Sequence, residues 1–321
     1  MTLGRLPTPL ERFARLDARL GAELWVKRED QSDTFLCGNK ARKLAPILER
    51  AIREGADTLV VAGSAQSNLC RVATLSAARA GLRTALVLGV DDPARPAPIT
   101  GNLLLAKLAG ASVHWVRFTE LLERAPVLLA ARAAELTAQG RKPFIVPLGA
   151  NVPDAFVSVS QIVDEIAAAL PPGETTIVFP VASGGTAAAL LFGLARLGLP
   201  WRAVGVITTG SAEETASRDR IARFFTQAAS GTTLAAPPLT LLDGSGAGYA
   251  RSTPQELDAL VQLAHEGLLL DETYNVKAMS VALREGASLG SRIVYLNTGG
   301  HFSLFAAGAP LVAAIDRWES Q

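Results

Sequence analysis

Three short segments of the chain combine side chains that can take part in chemistry with turns that could expose them. The first is CGNKARK at residues 37–43, in which Gly38 and an asparagine precede Lys40 and a helical pattern follows. A lysine amine forms Schiff bases with carbonyl compounds, and burial can lower its pKa enough to make it nucleophilic. From composition alone, the commoner interpretation of Lys40 and Lys43 is a solvated, basic start of a helix.

The second segment is GSAQSN at residues 63–68, between a predicted strand and a predicted helix. Hydroxyl, amide and backbone groups at a helix N-terminus suit an anionic ligand such as a carboxylate. The other interpretation is an ordinary N-cap formed by Ser67 or Asn68. The two interpretations are compatible, and both stay open.

The third segment is ASGGT at residues 182–186, which again joins a predicted strand to a helix. Its members Ser183, Gly184, Gly185 and Thr186 would let backbone N–H groups approach a phosphate at the helix N-terminus. The segment lacks the Gly-Lys-Ser/Thr ending of a nucleotide P-loop and the spacing of a dinucleotide fingerprint. The alternative is a tight turn without a ligand.

Short apolar runs alternate with helical periodicities along the whole chain, and they must position these three segments. The runs predict strands at 58–63, 84–89, 112–116, 144–147, 176–179, 203–207, 239–242 and 292–296. The periodicities predict helices at 68–80, 103–108, 120–139 with an interruption at Pro126, 186–197 and 211–229. Continuous apolar strands alternating with helices indicate α/β architecture, with mostly parallel twisted sheets covered by helices. We expect two such domains, with ligands at the carboxyl ends of the strands.

Composition excludes several classes of protein. The 321 residues carry a formal net charge of +1 and are 49% hydrophobic, which gives no electrostatic footprint for nucleic acid or an anionic membrane. Two cysteines are too few for a disulfide framework, and their spacing with histidine shows no metal motif. The N-terminal residues lack the apolar stretch of a signal peptide, and no apolar run is long enough to span a bilayer. A cytoplasmic protein without a bound metal is therefore expected.

Taken in order, the segments resemble one family. Besides the three loops, the match includes LPTPL at 6–10, LWVKRED at 24–30 and TGG at 298–300, so it runs along nearly the whole chain. The chain resembles the pyridoxal 5'-phosphate (PLP) dependent group that contains D-cysteine desulfhydrases, 1-aminocyclopropane-1-carboxylate (ACC) deaminases and cysteate sulfo-lyases. That group has the tryptophan-synthase-β-like fold, known as fold type II.

The resemblance implies a domain organisation and an assembly. The large, PLP-binding domain would contain residues 1–42 and 154–321, and the small α/β domain residues 43–153. PLP would lie in the cleft between them, and the enzyme would be a homodimer acting on a small amino acid.

The resemblance also implies residue roles. Lys40 would be the Schiff-base lysine, and Lys43 would reach the cofactor phosphate. Ser67 would contact the substrate carboxylate and join the proton transfers, and Asn68 would hydrogen-bond the 3-hydroxyl of the cofactor. Residues 183–186 would cradle the phosphate.

Three more residues take roles from the family context alone. Tyr249 and Tyr274 resemble the two active-site tyrosines, although in isolation each would be interpreted as a packing aromatic with a polar tip. Thr298 would face the pyridine nitrogen. Because a threonine is neutral, it should leave that nitrogen less firmly protonated than a carboxylate would.

Two positions separate the branches of the family. The deaminases carry a glutamate directly after the second tyrosine and a leucine before the paired glycines, whereas this chain has Asn275 and Thr298. Both differences disfavour cyclopropane ring opening; Thr298 resembles the desulfhydrase branch, whereas Asn275 differs from the small hydroxyl residue expected there. We therefore predict β-elimination from D-cysteine or a related β-substituted alanine, giving a keto acid and ammonia. The alternatives are an ACC deaminase, a β-replacement transferase, an isomerase that only moves the α-proton, and a binding module that has lost the chemistry.

Overall fold

The structure, a computed structural model, describes residues 2–210 and 214–320. The backbone forms two compact units. Unit 1 contains residues 33–155 and the described residues before Arg5, and unit 2 contains residues 5–32 and the described residues from Phe156 onward. Each unit has its own parallel sheet, as the alternation of strands and helices predicts.

The elements follow one another in chain order. The strands are β1 (Leu10–Arg12), β2 (Glu23–Arg28), β3 (Thr58–Ser64), β4 (Arg83–Val90), β5 (Ser112–Arg117), β6 (Pro143–Ile145), β7 (Thr176–Val181), β8 (Arg202–Ile207), β9 (Leu239–Asp243) and β10 (Arg292–Asn297). The α-helices are α1 (Asp17–Leu20), α2 (Lys40–Arg53), α3 (Asn68–Arg79), α4 (Gly101–Leu108), α5 (Phe118–Ala138), α6 (Pro153–Ala169), α7 (Gly185–Leu197), α8 (Glu214–Ala228), α9 (Pro254–His265), α10 (Asn275–Glu285) and α11 (Leu304–Glu319).

Unit 1 is built on four parallel strands in the order β5-β4-β3-β6. Alternate residues of β3 enter two separate cores, with Leu59 and Val61 packing among residues of α2 and α3, and Val60 and Ala62 packing against α5. A strand whose two faces are both covered must be apolar at every position, which is why β3 appears in the sequence as an unbroken apolar run.

Unit 2 is built on six strands in the order β1-β2-β10-β7-β8-β9, and only the edge strand β1 is antiparallel. One face of β7 packs Ile177 and Phe179 among residues of α6, α7 and α8, while the other face packs Val178 among residues of α10. The carboxyl ends of β7, β9 and β10 lead into the segments of unit 2 that carry the predicted site residues.

The unit boundaries differ from the predicted domains at the N-terminal side of α2. The sequence analysis assigns residues 1–42 to the large domain, whereas residues 33–42 belong to unit 1. The physical reason is that α2 buries its apolar stripe, which includes Ala41, Leu44 and Leu48, in the core of unit 1. The residues that lead into this helix pack with it.

Other expectations differ from the structure in detail. The backbone of α5 departs from helical angles at Arg124 (φ −127°, ψ 19°), two residues before Pro126, because a proline ring clashes with the preceding turn. The first three residues of the helix predicted at 211–229 lie outside the described residues, and the helix is present from Glu214. In the described ranges, no helix is both long and apolar enough to cross a membrane.

Candidate active site

Lys40 is the first residue of α2 and follows a turn that requires glycine. Gly38 has φ 103°, a backbone conformation that residues with a Cβ rarely adopt, and Asn39 is the N-cap position. The Lys40 side chain is partly buried, and desolvation lowers its pKa to about 8. Among the residues that the structure describes, its ammonium has no hydrogen-bond or ion-pair partner. A lysine with these properties is suited to act as a nucleophile near neutral pH.

Lys43 lies one turn further along α2 and is fully buried. Its Nζ donates hydrogen bonds to Asn151 Oδ1 at 2.7 Å and to the Gly149 carbonyl at 3.2 Å. Burial, with a smaller contribution from the charge of Lys40, holds the pKa of Lys43 well below its ordinary value. The structure thus places Lys43 against the turn that follows β6, and its contact with a cofactor phosphate stays a prediction.

Ser67 is the N-cap of α3, directly after β3. Its Oγ accepts a hydrogen bond from the Cys70 backbone N–H at 3.2 Å. Burial raises the pKa of the Cys70 thiol to about 12, so this cysteine is a neutral neighbour of the cap. The capping interpretation of Ser67 therefore holds. Its contact with a substrate carboxylate is compatible with the cap and stays a prediction.

Gly63, the penultimate residue of β3, allows the Ser67 turn to close against the strand. A Cβ added at Gly63 would lie 2.5 Å from Ser67 Oγ and 2.9 Å from Cys70 Sγ. We expect Gly63→Ala to destabilise the protein by about 2 kcal/mol, because the turn must move to relieve this overlap. Urea unfolding monitored by circular dichroism checks the prediction.

The control for Gly63→Ala should be a small change in the same unit that does not strain the backbone. A second glycine such as Gly81 is unsuitable, because its positive φ would strain an alanine. Ser76→Ala, in α3 of the same unit, removes one buried hydroxyl and no turn contact. A Gly63→Ala protein as stable as the wild type would show that the turn adapts freely.

Asn68 is held by a buried polar cluster in unit 1. Its Oδ1 accepts hydrogen bonds from Arg71 Nη1 and from Asn102 Nδ2, both at 3.1 Å. Arg71 also donates to Asn102 Oδ1 at 2.6 Å and to the Cys37 carbonyl at 2.7 Å. Because the Asn68 oxygen is occupied by two donors, the amide N–H groups are the part of this side chain left to bind a ligand; in the described residues, they bond to no protein group.

Arg71 therefore links the two predicted loops of unit 1. Its guanidinium is fully buried, and it bonds to Cys37, which lies three residues before Lys40, and to Asn68. Sequence reasoning missed this residue, because an arginine in the second turn of a helix is usually solvent-exposed. No sequence pattern in the chain marks it as buried.

The glycine loop of unit 2 lies between β7 and α7. Gly184 is the N-cap of α7 with φ 85°, and an added Cβ would lie 3.0 Å from Ile221 Cγ1. The backbone N–H groups in the first turn of a helix have no partner within the helix, and the helix dipole favours an anion there. The loop that contains Ser183, Gly185 and Thr186 thus has the form of a phosphate site, and that role stays a prediction.

The two predicted tyrosines of unit 2 contact each other. Tyr274 Oη donates a hydrogen bond to Tyr249 Oη at 3.1 Å, and the ring centroids are 6.1 Å apart. Burial and the neighbouring Tyr249 raise the pKa of Tyr274 well above its ordinary value, so this phenol keeps its proton at neutral pH. Tyr274 therefore donates a hydrogen bond as a neutral phenol.

Thr298 follows β10 and is bonded to Asn275, the first residue of α10. Asn275 Oδ1 accepts from the Thr298 backbone N–H at 3.1 Å, and Asn275 Nδ2 donates to the Gly299 carbonyl at 2.7 Å and lies 3.2 Å from Thr298 Oγ1. Below Asn275 lies Asp271, a fully buried carboxylate that accepts from the Asn275 backbone N–H at 3.0 Å and from Asn275 Nδ2. Asn275 is therefore the connection between this carboxylate and the turn that carries Thr298.

Asp271, which is fully buried, and its half-buried neighbour Glu272 form an acidic pair. Burial raises the pKa of Asp271, and burial together with the charge of Asp271 raises the pKa of Glu272 to about 7. The two carboxylates are bonded differently. Asp271 accepts from backbone N–H groups of Thr273 and Tyr274, while Glu272 accepts from the Ser303 hydroxyl at 2.9 Å. Sequence reasoning assigned neither residue a role.

The structure thus brings the predicted residues together within each unit. In unit 1, Lys40 and Lys43 lie one turn apart on α2. Arg71 donates hydrogen bonds both to the loop before Lys40 and to Asn68. In unit 2, Tyr249 contacts Tyr274, and the residue after Tyr274 contacts Thr298. Across residues 2–210 and 214–320, no group of three or more His, Cys, Asp or Glu side chains is arranged to hold a metal ion.

A partly buried lysine with a lowered pKa at a helix start, and a glycine loop at the N-terminus of another helix, are features expected of an enzyme that binds a phosphorylated aldehyde. The family described as pyridoxal-phosphate dependent enzyme matches residues 1–299 of the chain. The chain belongs to this family of PLP-dependent enzymes.

Individual relatives agree with that assignment. The D-cysteine desulfhydrase of Yersinia enterocolitica is 35% identical over 314 residues, which cover 93% of this chain and 93% of the relative. The D-cysteine desulfhydrase of Serratia proteamaculans is 34% identical over 311 residues, with the same coverage of 93% for both chains. Among solved structures, an ACC deaminase homologue has a TM-score of 0.86 and 29% identity, covering 97% of this chain and 95% of the other.

Proposed function

We propose that the protein is a PLP-dependent lyase that removes the β-substituent of D-cysteine or a related β-substituted alanine. The products would be a keto acid, ammonia and, from D-cysteine, hydrogen sulfide, with one water consumed. The observation that carries the proposal is Lys40, whose amine has a pKa of about 8 at the start of a helix. The choice of D-cysteine is supported by the relatives that bear that name.

The residues present fit PLP in three respects. Lys40 offers an amine that deprotonates near neutral pH. Asn68 has its oxygen fixed by two donors, so its N–H groups can bond to the 3-oxygen of the cofactor. The Gly184–Gly185 turn leaves the first N–H groups of α7 for a phosphate. We assign the Schiff base to Lys40 and phosphate binding to residues 183–186, with Lys43 reaching the same phosphate.

The chemistry divides between the cofactor and the chain. PLP, when bound, withdraws electrons from the bonds at the Cα of an amino acid. Lys40 would hold the cofactor through its amine and, once free of it, would remove the proton from Cα of the substrate. Ser67 donates its hydroxyl hydrogen bond to the substrate carboxylate at the N-terminus of α3, where the helix dipole favours an anion.

The remaining groups act on the departing substituent and on the ring. Tyr274 keeps its proton and donates a hydrogen bond to Tyr249 Oη, and we assign to this hydroxyl pair a hydrogen bond to the leaving sulfur. Thr298 offers a neutral hydroxyl to the pyridine nitrogen. A weaker electron sink of this kind is tolerable where a thiol, which is a good leaving group, departs from Cβ.

The function is tested by adding D-cysteine to purified, PLP-loaded protein. We expect the visible absorption band of the lysine-bound cofactor to change, with sulfide and keto acid appearing in equal amounts. L-Cysteine and D-serine are the matched controls for chirality and for the leaving group. A spectral change without sulfide would contradict elimination from D-cysteine, and keto acid from ACC would support the deaminase instead.

The deaminase is the second candidate, because the ACC deaminase homologue has the TM-score of 0.86. Asn275 and Thr298 disfavour it, since both positions differ from the deaminase pattern. Thr298 resembles the desulfhydrase branch, so we keep elimination as the leading proposal.

The rate of PLP capture by the cofactor-free protein should depend on pH through Lys40. Because only the neutral amine attacks the aldehyde, we expect the rate constant to rise about tenfold per pH unit below pH 7 and to level off above about pH 9. Stopped-flow absorbance at the visible band measures it. A rate constant that still rises at pH 10 would place the Lys40 pKa near its ordinary value and contradict the structure.

Location and assembly also follow from the resemblance. We assign the protein to the cytoplasm, where its two buried thiols, Cys37 and Cys70, would stay reduced. We assign a homodimer as the functional form. Light scattering of the purified protein tests the second assignment directly.

A further inference from the structure

Lys277 is a buried cation that the proposed reaction does not use. It lies in the first turn of α10, two residues after Asn275, and its side chain is 1% exposed. In the described part of the chain, its ammonium makes two hydrogen bonds, both to backbone carbonyls: Ser245 O at 2.8 Å and Gly248 O at 2.7 Å. Burying an ammonium group away from water is costly, and the two hydrogen bonds offset that cost only if the carbonyls are held in place. We therefore interpret this lysine as one that stabilises the segment that it binds.

The segment that Lys277 binds is the loop between β9 and α9, which carries Tyr249. The loop turns sharply, with the Gly248 N–H bonded to Ser245 O at 2.9 Å and the Ser245 N–H bonded to Asp243 Oδ1 at 2.9 Å. Gly246, Gly248 and Ala250 all have positive φ. Glycine adopts such angles without strain but is conformationally free, and Ala250 is held in a region that residues with a Cβ rarely adopt, so this loop needs a strong contact to hold one conformation.

The same lysine connects the two tyrosines through the backbone. Tyr274 is the N-cap residue of α10, and Lys277 follows three residues later on the same helix. Its ammonium binds the carbonyl of Gly248, the residue next to Tyr249. The contact between the two phenolic oxygens, at 3.1 Å, therefore depends on a short path from α10 through Lys277 to the loop.

A cavity in unit 2 lies beside the Lys277 side chain. It has a volume of about 620 Å³ and is lined by Ser245, Gly246, Glu256, Lys277 and Ser280, among other residues. The carboxylate of Glu256 contributes a favourable charge to Lys277 and accepts the Thr253 N–H at 2.7 Å. Carbonyl oxygens, a carboxylate and room for water are the surroundings that a hard monovalent cation prefers.

We propose that the carbonyls of Ser245 and Gly248 form a cation site that the Lys277 ammonium fills from within the chain, and that this built-in cation positions Tyr249 against Tyr274. The positioning role rests on the proposed function, which places the tyrosines at the cofactor. The cation site itself does not. If the lysine is shortened, the cavity gives potassium or ammonium ions access to the same two carbonyls.

The test compares Lys277→Ala with Lys277→Met in PLP-loaded and in cofactor-free protein. Thermal unfolding is recorded in chloride salts of potassium, ammonium or tetramethylammonium at equal ionic strength. We expect Lys277→Ala to lower Tm by on the order of 5 °C in tetramethylammonium and to regain at least half of the loss in potassium or ammonium. Lys277→Met should stay low in all three salts, because its side chain fills the space without a charge.

Turnover and cofactor binding supply the second readout. We expect Lys277→Ala to lose on the order of 10- to 100-fold in kcat in tetramethylammonium and to recover in potassium, with a smaller change in KM. Wild type and Ser280→Ala, which alters the same cavity, should respond to none of the cations. Lys277→Arg should retain part of the activity in every salt.

Each outcome decides the inference. A Tm of Lys277→Ala that does not distinguish potassium from tetramethylammonium would overturn the cation site, whatever the substrate of the enzyme is. A cation-dependent Tm without cation-dependent turnover would overturn the positioning of Tyr249. A cation-dependent Tm in a protein that binds no PLP would support the site while contradicting the proposed function.

Discussion

Replacing Lys40 with alanine is expected to remove the visible absorption band of the PLP-loaded protein and to lower kcat by on the order of 1,000-fold or more. Lys40 is the only lysine of the helix α2 that lacks a partner, in the part of the chain that the structure describes; Lys43 is bonded to Asn151 and Gly149. Its amine has a pKa of about 8, so a neutral nucleophile is available near physiological pH. The spectrum and a sulfide assay with D-cysteine measure both effects.

Three matched variants make this prediction specific. Lys40→Arg keeps the positive charge but cannot form a Schiff base, so it should fail as completely as alanine. Lys107→Ala removes an exposed lysine from unit 1 and should leave the band and kcat unchanged. Lys43→Met should weaken PLP binding while the band persists at saturating cofactor. A persistent band in Lys40→Ala would assign the Schiff base to another lysine.

Replacing Asn275 with alanine is expected to destabilise unit 2 by about 3 kcal/mol, which corresponds to a Tm lower by roughly 10 °C. An asparagine amide has two N–H groups, and the nearest acceptors of Asn275 Nδ2 are Asp271 Oδ2 and the Gly299 carbonyl. Alanine leaves both acceptors buried without these donors. Differential scanning calorimetry on the cofactor-free protein measures the effect without any dependence on activity.

The isosteric variant Asn275→Asp separates charge from shape. It places a second carboxylate against Asp271. Burial already raises the pKa of Asp271. A carboxyl group whose pKa is raised by folding destabilises the folded protein as pH rises through that pKa. The free energy of unfolding of Asn275→Asp should therefore fall further below that of the wild type toward alkaline pH. It should shrink below about pH 5, where the pair shares a proton. A deficit that does not vary with pH would mean that Asp271 is not the group that Asn275 satisfies.

The number of N–H groups on Asn275 Nδ2 also determines which hydrogen bonds the Thr298 hydroxyl can make. If both Nδ2 protons are used by Asp271 and Gly299, the Thr298 hydroxyl receives none from Asn275 and keeps its own proton to donate. Its nearest protein acceptor is Asn275 Oδ1 at 3.3 Å, which is long for an O–H···O bond. The hydroxyl is therefore ready to donate to a ring nitrogen that carries no proton, in agreement with the electronic role that the resemblance implies.

The strands of unit 1 could be predicted from the sequence because β3 and β4 are covered on both faces and are apolar throughout. By contrast, β2 was not predicted, since its sequence includes Lys27 and Arg28. The structure buries Lys27 and satisfies it with the Thr8 carbonyl at 2.6 Å and with Glu165 Oε2 at 2.5 Å. Those partners lie 19 and 138 residues away in sequence, so no local pattern could reveal that the lysine is internal.

The candidate site shows the same limit. The lysine loop, the serine cap and the glycine loop could be predicted because each joins two elements at a recognisable turn. Arg71, Asp271 and Lys277 could not, because their importance comes from burial and from the groups that they bond, and charged residues in helices and turns usually face solvent. Asn275 was recognised only as a departure from a family pattern, and the structure adds its bonds to Asp271 and Thr298.

The pairing of β2 with β10 has a consequence for how the chain acquires its fold during synthesis. Glu23 is opposite Arg292 in this parallel pair, so the sheet of unit 2 cannot close until almost the entire chain has been made. Unit 1, whose residues 33–155 are contiguous, can fold while the ribosome is still translating unit 2. Residues 5–32 must wait in the meantime with the β2 edge that will meet β10 unpaired, and such edges associate readily with other chains. A chaperone that shields this N-terminal segment should therefore raise the yield of folded enzyme more than one that binds the C-terminal helix.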